Sequence, residues 1–477
     1  MAELQIANGF YVSESLPISH QICINAYPNV AQVEGSLSPV SLFGTPGAYE
    51  LLSTGSFPYA CRGARIKNGI PYFVNGNSLI RVDRQIVNQV ESFSYTTLGT
   101  IEGEGLVSMA DNGTQLMVLV PDGKGYIYNE DAGTPFQEIG DSDFYANGRP
   151  QQVVFIDGYF ACTTDTKRWI VSALNDGLDW SPLDFGSAES DPDVIVAPVV
   201  HQNQIFILGS ETTEGFQNIG GYGFPFQRSG MFLDKGCVAP FSVINAASTF
   251  FMIGAGQNEE PSIYMFNGNG FDRISSDALD SEIQSYTDAE LNSVYAWKYS
   301  SRGAQFVGWT FPDTSFVFDM STGRWHERKS IIEDVQKGWR PSGIVSAYGR
   351  LLCGDRIDGR IGVIDKDTYY EYDNLIIREW STQPFKNADG RDLRSNILEL
   401  TMESGVGNSD VNNPTVSLSI SKDGKTFGFE RVRTTGKIGE YNRRVVWRKN
   451  GRFPRFVVFR FRYSDPAKFV AIKLESR

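Results

Sequence analysis

Phe316-Val317-Phe318-Asp319-Met320-Ser321-Thr322-Gly323-Arg324-Trp325 is an apolar run, a turn and a closing aromatic residue, which is the pattern of a β-hairpin. Another apolar strand, centred on Phe306, precedes it behind the turn Arg302-Gly303. The same succession recurs in Ile263-Tyr264-Met265-Phe266-Asn267-Gly268-Asn269-Gly270-Phe271, in Tyr126-Ile127-Tyr128 with Phe136, and in Trp169-Ile170-Val171 with Trp180. The first apolar strand of each unit centres on Tyr72, Met117, Phe160, Phe206, Phe251, Phe306 and Leu351, at intervals of 45, 43, 46, 45, 55 and 45 residues. Turns containing Asn68-Gly69, Asn112-Gly113, Asp157-Gly158, Arg302-Gly303 and Tyr348-Gly349 stand before five of these strands, and such pairs supply the positive φ angles of a two-residue hairpin. The other two units lack that glycine.

A period near 45 residues with several short strands per unit is the size of a propeller blade, because a four-stranded sheet buries both faces only by stacking on its neighbours. The fold class is therefore all-β, a β-propeller. Seven centres predict seven blades, with six as the alternative. The long interval predicts an insertion within Ser275 to Asn292, with a short helix. Residues 1–54 fit the period poorly and are expected to form an arm or to supply strands that close the ring. The propeller is expected over 55–374.

After Asn374 the rhythm changes. Longer alternating strands, Thr415 to Ser421 and Arg455 to Tyr463, a polar loop at Ser404 to Asn413 and a turn at Lys422-Asp423-Gly424-Lys425 predict a β-sandwich-like domain over 375–477. Alternation in the second strand sets Val457, Phe459, Phe461 and Tyr463 on one face and Phe456, Val458, Arg460 and Arg462 on the other.

Composition agrees with strands joined by tight turns: 48 Gly, 32 Phe and 21 Tyr among 477 residues. No run approaches the roughly 20 apolar residues of a membrane span, and the first residues have no signal-peptide pattern, so folding in the cytoplasm is expected. The five cysteines, Cys23, Cys61, Cys162, Cys237 and Cys353, are scattered and read as buried thiols. The net charge of −13 conceals an asymmetry: residues 430–477 hold 14 Lys and Arg against 4 Asp and Glu, leaving residues 1–429 with 29 against 52.

The succession Ser419-Ile420-Ser421-Lys422-Asp423-Gly424-Lys425-Thr426-Phe427, Tyr441-Asn442-Arg443-Arg444-Val445-Val446-Trp447-Arg448, Gly451-Arg452-Phe453-Pro454-Arg455-Phe456-Val457-Val458-Phe459-Arg460 and Ser464-Asp465-Pro466-Ala467-Lys468 resembles the C-terminal region of the packaged-DNA stabilisation proteins, the tail hub or nozzle proteins of short-tailed bacteriophages. The resemblance implies a structural virion protein of the tail, assembled in the host cytoplasm. It implies a homohexameric ring below the portal and adaptor proteins that closes the channel for double-stranded DNA, retains the DNA until ejection, and holds needle, fibre or spike proteins. An acidic body suits a conduit, since like charge keeps phosphates off the wall.

The alternative is a propeller that binds or hydrolyses glycans. Its chemistry is hard to find: His20, His201 and His326 form no metal-ligand pair or H-E-x-x-H context. Glu189-Ser190-Asp191-Pro192-Asp193 and Asp277-Ala278-Leu279-Asp280-Ser281-Glu282 read as solvated acidic loops. Ser421 to Phe427 departs from a sialidase Asp-box because glycine directly follows Asp423. Gly254-Ala255-Gly256 and Gly103-Glu104-Gly105 lack the following helix of a phosphate-binding loop. No catalytic residue, metal site or cofactor is predicted. Arg443, Arg444, Arg448, Arg452 and Arg455 are the residues expected to make charged assembly contacts, pairing within their own domain and binding DNA phosphates being the competing roles.

Overall fold

Each of the seven sequence centres lies on the second strand of a separate antiparallel sheet in the computed structural model, which describes residues 2–6, 8–55, 60–188, 191, 193–221, 223–386 and 392–477. Blade 1 comprises Cys61–Lys67, Ile70–Asn75, Ser78–Val87 and Val90–Thr100. Blades 2, 3 and 4 repeat this four-strand meander, ending on the outer strands Phe136–Glu138, Asp176–Ser187 and Phe226–Leu233. In blade 5 the inner position is split between Gly236–Cys237 and Ile244–Ala246. The fold is a seven-bladed propeller.

Alternation along each strand feeds two cores at once. In Ile70–Asn75, Tyr72 and Val74 pack against Leu116 and Val118 of blade 2, while Phe73 packs against Leu352 and Ile361 of blade 7. Seven such cores lie between successive blades, the last joining blade 7 to blade 1. Asn68 and Gly69 take φ 52° and 78° in the first tight hairpin. In blade 4, which lacks the glycine, Gln202 and Asn203 adopt the same left-handed pair at 48° and 59°. The turn geometry is kept there without its usual residues.

The ring closes through the start of the chain. Gly47–Ser53 is the outer strand of blade 7, antiparallel to Arg360–Asp365 with Ala48 opposite Ile364 and Tyr49 opposite Val363. The long interval holds the helices Asp277–Ile283 and Asp288–Asn292. The Asp277 to Glu282 stretch is thus a helix rather than a solvated loop: Ser276 caps it by accepting from the Leu279 amide, and Leu279 and Ile283 bury one face in the core between blades 5 and 6.

The C-terminal body is a sandwich of two sheets, and the chain start completes both. One sheet runs Val445–Phe453, Leu393–Met402, Val470–Ser476, Val40–Gly44, Ala26–Val30, with Ala2–Leu4 also pairing on Val470–Ser476. The other runs Cys23–Ile24, Arg378–Ser381, Val458–Tyr463, Thr415–Ser421, Arg431–Thr434. Leu4, Ile6, Cys23, Ala26 and Leu42 share one core with Trp380, Trp447, Phe459 and Phe461. As alternation predicts, Val457, Phe459, Phe461 and Tyr463 are buried there, whereas Arg460 and Arg462 lie 3.7 Å from Glu379 and Glu430 on the opposite face.

The second sheet is continuous with blade 6, because Ile24 pairs in parallel with Glu327. Asn25 staples this joint, donating to the carbonyls of Lys329 (2.9 Å) and Ile377 (2.8 Å) and accepting from the Lys329 amide. Beside it the buried Arg328 guanidinium lies 3.6 Å from the centre of the Trp339 ring and donates to the Pro46 carbonyl at 2.8 Å. The propeller and the sandwich are consequently anchored to one another by hydrogen bonds, and the cation–π contact fixes Arg328 within the propeller for its bond to Pro46.

Leu42→Ala is expected to destabilise the chain by about 2–5 kcal/mol, because it opens a cavity in a fully buried site shared by the two ends of the chain. Urea unfolding checks the magnitude.

Candidate assembly surface

The two sandwich sheets end side by side in Val445–Phe453 and Arg431–Thr434. Side chains tie these strands together. Arg431 donates to the Arg448 carbonyl (2.7 Å) and Asn450 Oδ1 (2.8 Å), Arg433 donates to the Val446 carbonyl (3.0 Å), and the Trp447 indole donates to the Arg431 carbonyl (2.6 Å). Phe429, just ahead of this edge, is 98% exposed.

Of the five arginines predicted for assembly, three have partners inside the sandwich. Arg444 makes a two-pronged contact with Glu399 (2.7 and 2.5 Å), which holds the Glu399 carboxyl below its usual range. Arg443 lies 3.5 Å from Glu440, and Arg452 pairs with Asp392. Arg448 and Arg455 are exposed and have no carboxylate partner among the described residues. Sequence reading missed Phe429, Arg431 and Arg433. The signal for the last two was the alternation in Arg431-Val432-Arg433, too short to separate from a basic turn.

The opposite charge is concentrated elsewhere. Residues 129–193 hold 13 Asp and Glu against 3 Lys and Arg. Asp179 and Asp184 sit on Asp176–Ser187, the outer strand of blade 3, with Leu183 between them 78% exposed. The 3-10 turn Ser142–Tyr145 packs beside that strand: Phe144 meets Trp180 at 4.7 Å, and Asp141 accepts from the Trp180 amide at 2.9 Å. In the other predicted acidic loop, Glu189, Ser190 and Pro192 lie outside the described residues, while Asp193 accepts from the amides of Glu211 and Thr212.

On the propeller axis, the innermost strands of all seven blades line a cavity of about 520 Å³, and Arg62, Met109, Gln152, Pro198, Ile244, Trp297 and Ser342 are among its lining residues, one named from each blade. Arg62 is held by the carbonyls of Gly105, Gly76 and Ile101.

Among the described residues no group of His, Cys, Asp and Glu could hold a metal ion, and no helix is long and apolar enough to cross a membrane. All five cysteines are buried and free, and burial raises the Cys61 thiol to about 11 and the Cys237 thiol to about 12. His326 is fully buried between Tyr27 and Phe306, neither ring nitrogen has a hydrogen-bond partner, and burial lowers its pKa to about 3. At Asp423 the amides of Thr426 and Lys425 and the Ser421 hydroxyl donate to the carboxylate, lowering its pKa to about 2. That turn is a structural one.

Two family models cover nearly the whole chain: the β-propeller of bacteriophage P22 Gp10 over residues 2–369 and the β-sandwich of the same protein over residues 379–477. The chain belongs to the bacteriophage P22 Gp10 family. Across 452 residues it is 25% identical to the tail hub protein gp10 of Salmonella phage P22, covering 89% of this chain and 91% of that relative. Among solved structures, the WD40 β-propeller domain of Doa1 is similar at 11% identity and a TM-score of 0.40, covering 67% of this chain and 97% of that one. The computationally designed protein Ika8 is similar at 11% identity and a TM-score of 0.35, covering 66% and 99%. Kinship with tail hub proteins, expected from the C-terminal motifs, thus holds for both bodies, and the chain is a structural protein of the phage tail.

The Gp10-family sandwich edge is expected to tolerate Arg448→Glu and Arg455→Glu within about 0.5 kcal/mol in urea unfolding. Arg444→Glu is expected to lower stability by placing a second carboxylate beside Glu399. His326 adds a pH dependence of defined sign. Its folded pKa lies below the unfolded value of about 6.5, so its contribution is intact above that pH and is lost as pH falls towards 3. His326→Phe is expected to flatten stability between pH 6.5 and 3, removing a slope of up to about 1.4 kcal/mol per pH unit. Denaturant titrations at several pH values check it.

Proposed function

We propose that this chain is the tail hub, or nozzle, subunit of a short-tailed phage. Copies assemble as a closed ring, a hexamer, below the portal and adaptor proteins, close the DNA channel, retain the packaged genome and present a platform for needle, fibre or spike proteins. The observation that carries this reading is the match to the gp10 tail hub over 89% of the chain, covering the propeller and the sandwich together. In this reading the DNA channel lies between copies rather than through one propeller. In this role residues 55–374, closed by the strand from residues 1–54, form the body and residues 375–477 form the assembly domain.

The domain's contacts are charged. Arg448 and Arg455 are the free members of the predicted set, and Arg443, Arg444 and Arg452 hold the surface around them in shape through their internal carboxylate partners. The chain is assigned no catalytic step and no cofactor.

Particles assembled without this chain are expected to package DNA and then lose it, becoming sensitive to nuclease and staining as empty heads in electron microscopy. Adding the purified chain before DNA loss should restore filled particles. Stable, nuclease-resistant DNA in particles that lack the chain would contradict the proposal.

A further inference from the structure

We infer that the Phe429 edge of the sandwich docks on the outer strand of blade 3 of a second copy of this chain. Phe429 is the most exposed large hydrophobic side chain among the described residues, and it stands beside an edge that carries Arg431 and Arg433, next to Arg448 of the adjoining strand, which has no carboxylate partner among the described residues. An aromatic ring among arginines is the composition of an interface anchor rather than of a solvated surface. The complementary surface is on the same polypeptide: Leu183 at 78% exposure, flanked by Asp179 and Asp184, which have no cationic partner among the described residues. Asp176–Ser187 is the terminal strand of its sheet, and Phe429 stands outside any strand, ahead of Arg431–Thr434, whose own outer side is tied to Val445–Phe453.

The two surfaces cannot meet within one molecule. The sandwich is built onto blade 6 through the Ile24–Glu327 pairing, whereas blade 3 lies three places round a seven-membered ring, on the far side of the axis. A chain with a basic, aromatic edge on one flank and an acidic, apolar edge on the other is arranged for a head-to-tail contact, which forms a closed ring when the rotation per subunit closes. The contact rests on the hub reading above, for which it names the surfaces that join neighbouring subunits.

The test is made in purified phage particles. A chain with Leu183→Cys and Phe429→Cys together is expected to give disulfide-linked multimers on mild oxidation, while either single variant stays monomeric on a non-reducing gel. Background is low because the five native thiols are buried. Asp184→Arg is expected to reduce incorporation by about tenfold and Arg448→Glu in the same chain to restore it, the direction expected of a charge pair across an interface. Circular dichroism and thermal melting of each variant confirm folding.

Absence of multimers in the double variant, or normal incorporation of folded Phe429→Asp, overturns this contact while leaving the hub reading intact. Loss of duplex-oligonucleotide binding in Phe429→Asp with Arg448→Glu, without loss of incorporation, reassigns the edge to phosphate and also overturns it. A wild-type chain present in particles as isolated single copies defeats the hub reading and the contact together.

Discussion

The antiparallel pairing of Gly47–Ser53 with Arg360–Asp365 is the constraint on which the rest of the molecule depends. A blade buries both faces only if it has two neighbours, and seven blades have seven shared cores only if the last meets the first. Here the last interface, Leu352 and Ile361 against Phe73 and Ile80, is held by a strand some 300 residues away in sequence. Opening the ring would therefore expose that core as well as the hydrogen bonds of the strand. Pairings this distant are costly in loop closure and form slowly, so the closing strand is expected to dock late in folding.

The same N-terminal segment has a second task, and the two are coupled. Before reaching blade 7 it supplies Ala2–Leu4, Cys23–Ile24, Ala26–Val30 and Val40–Gly44 to the sandwich. Asn25 then locks the joint with blade 6, and Arg328 of that blade holds the Pro46 carbonyl. A sandwich on a hinged linker would present its basic edge in many directions. This one presents it in a single direction relative to blade 3, which suits a building block whose neighbours must sit at a fixed rotation. Most surface ion pairs contribute little to stability, and in the proposed assembly the charges on these edges would set orientation.

Much of this was legible in the sequence because the propeller writes its period locally. All seven centres fall on second strands, and most are flanked by turns whose residues require positive φ. Less visible were the turns at Gln202-Asn203 and Ala247, which adopt the left-handed geometry without a glycine, Gln202 and Ala247 being residues that rarely do so. The sandwich strands in the first 44 residues leave little local signal, because Ala2–Leu4 and Cys23–Ile24 are only three and two residues long and Ala2–Leu4 and Val40–Gly44 find their partners near residue 470. The arginines of residues 443–455 could be recognised as a basic cluster, but not sorted. Glu399, which engages Arg444, and Asp392, which engages Arg452, belong to a different strand region, and only the register of Leu393–Met402 on Val445–Phe453 brings them across.

In the proposed role the propeller–sandwich unit is one subunit of a closed tail ring around a channel formed between copies. Cryo-electron microscopy of the intact tail measures this most directly. A closed ring of identical copies is expected, with propeller axes empty of DNA and the channel between subunits, at a resolution that shows the sandwich seated on blade 6. Density for the chain as scattered single copies, or DNA threading one propeller, would contradict it.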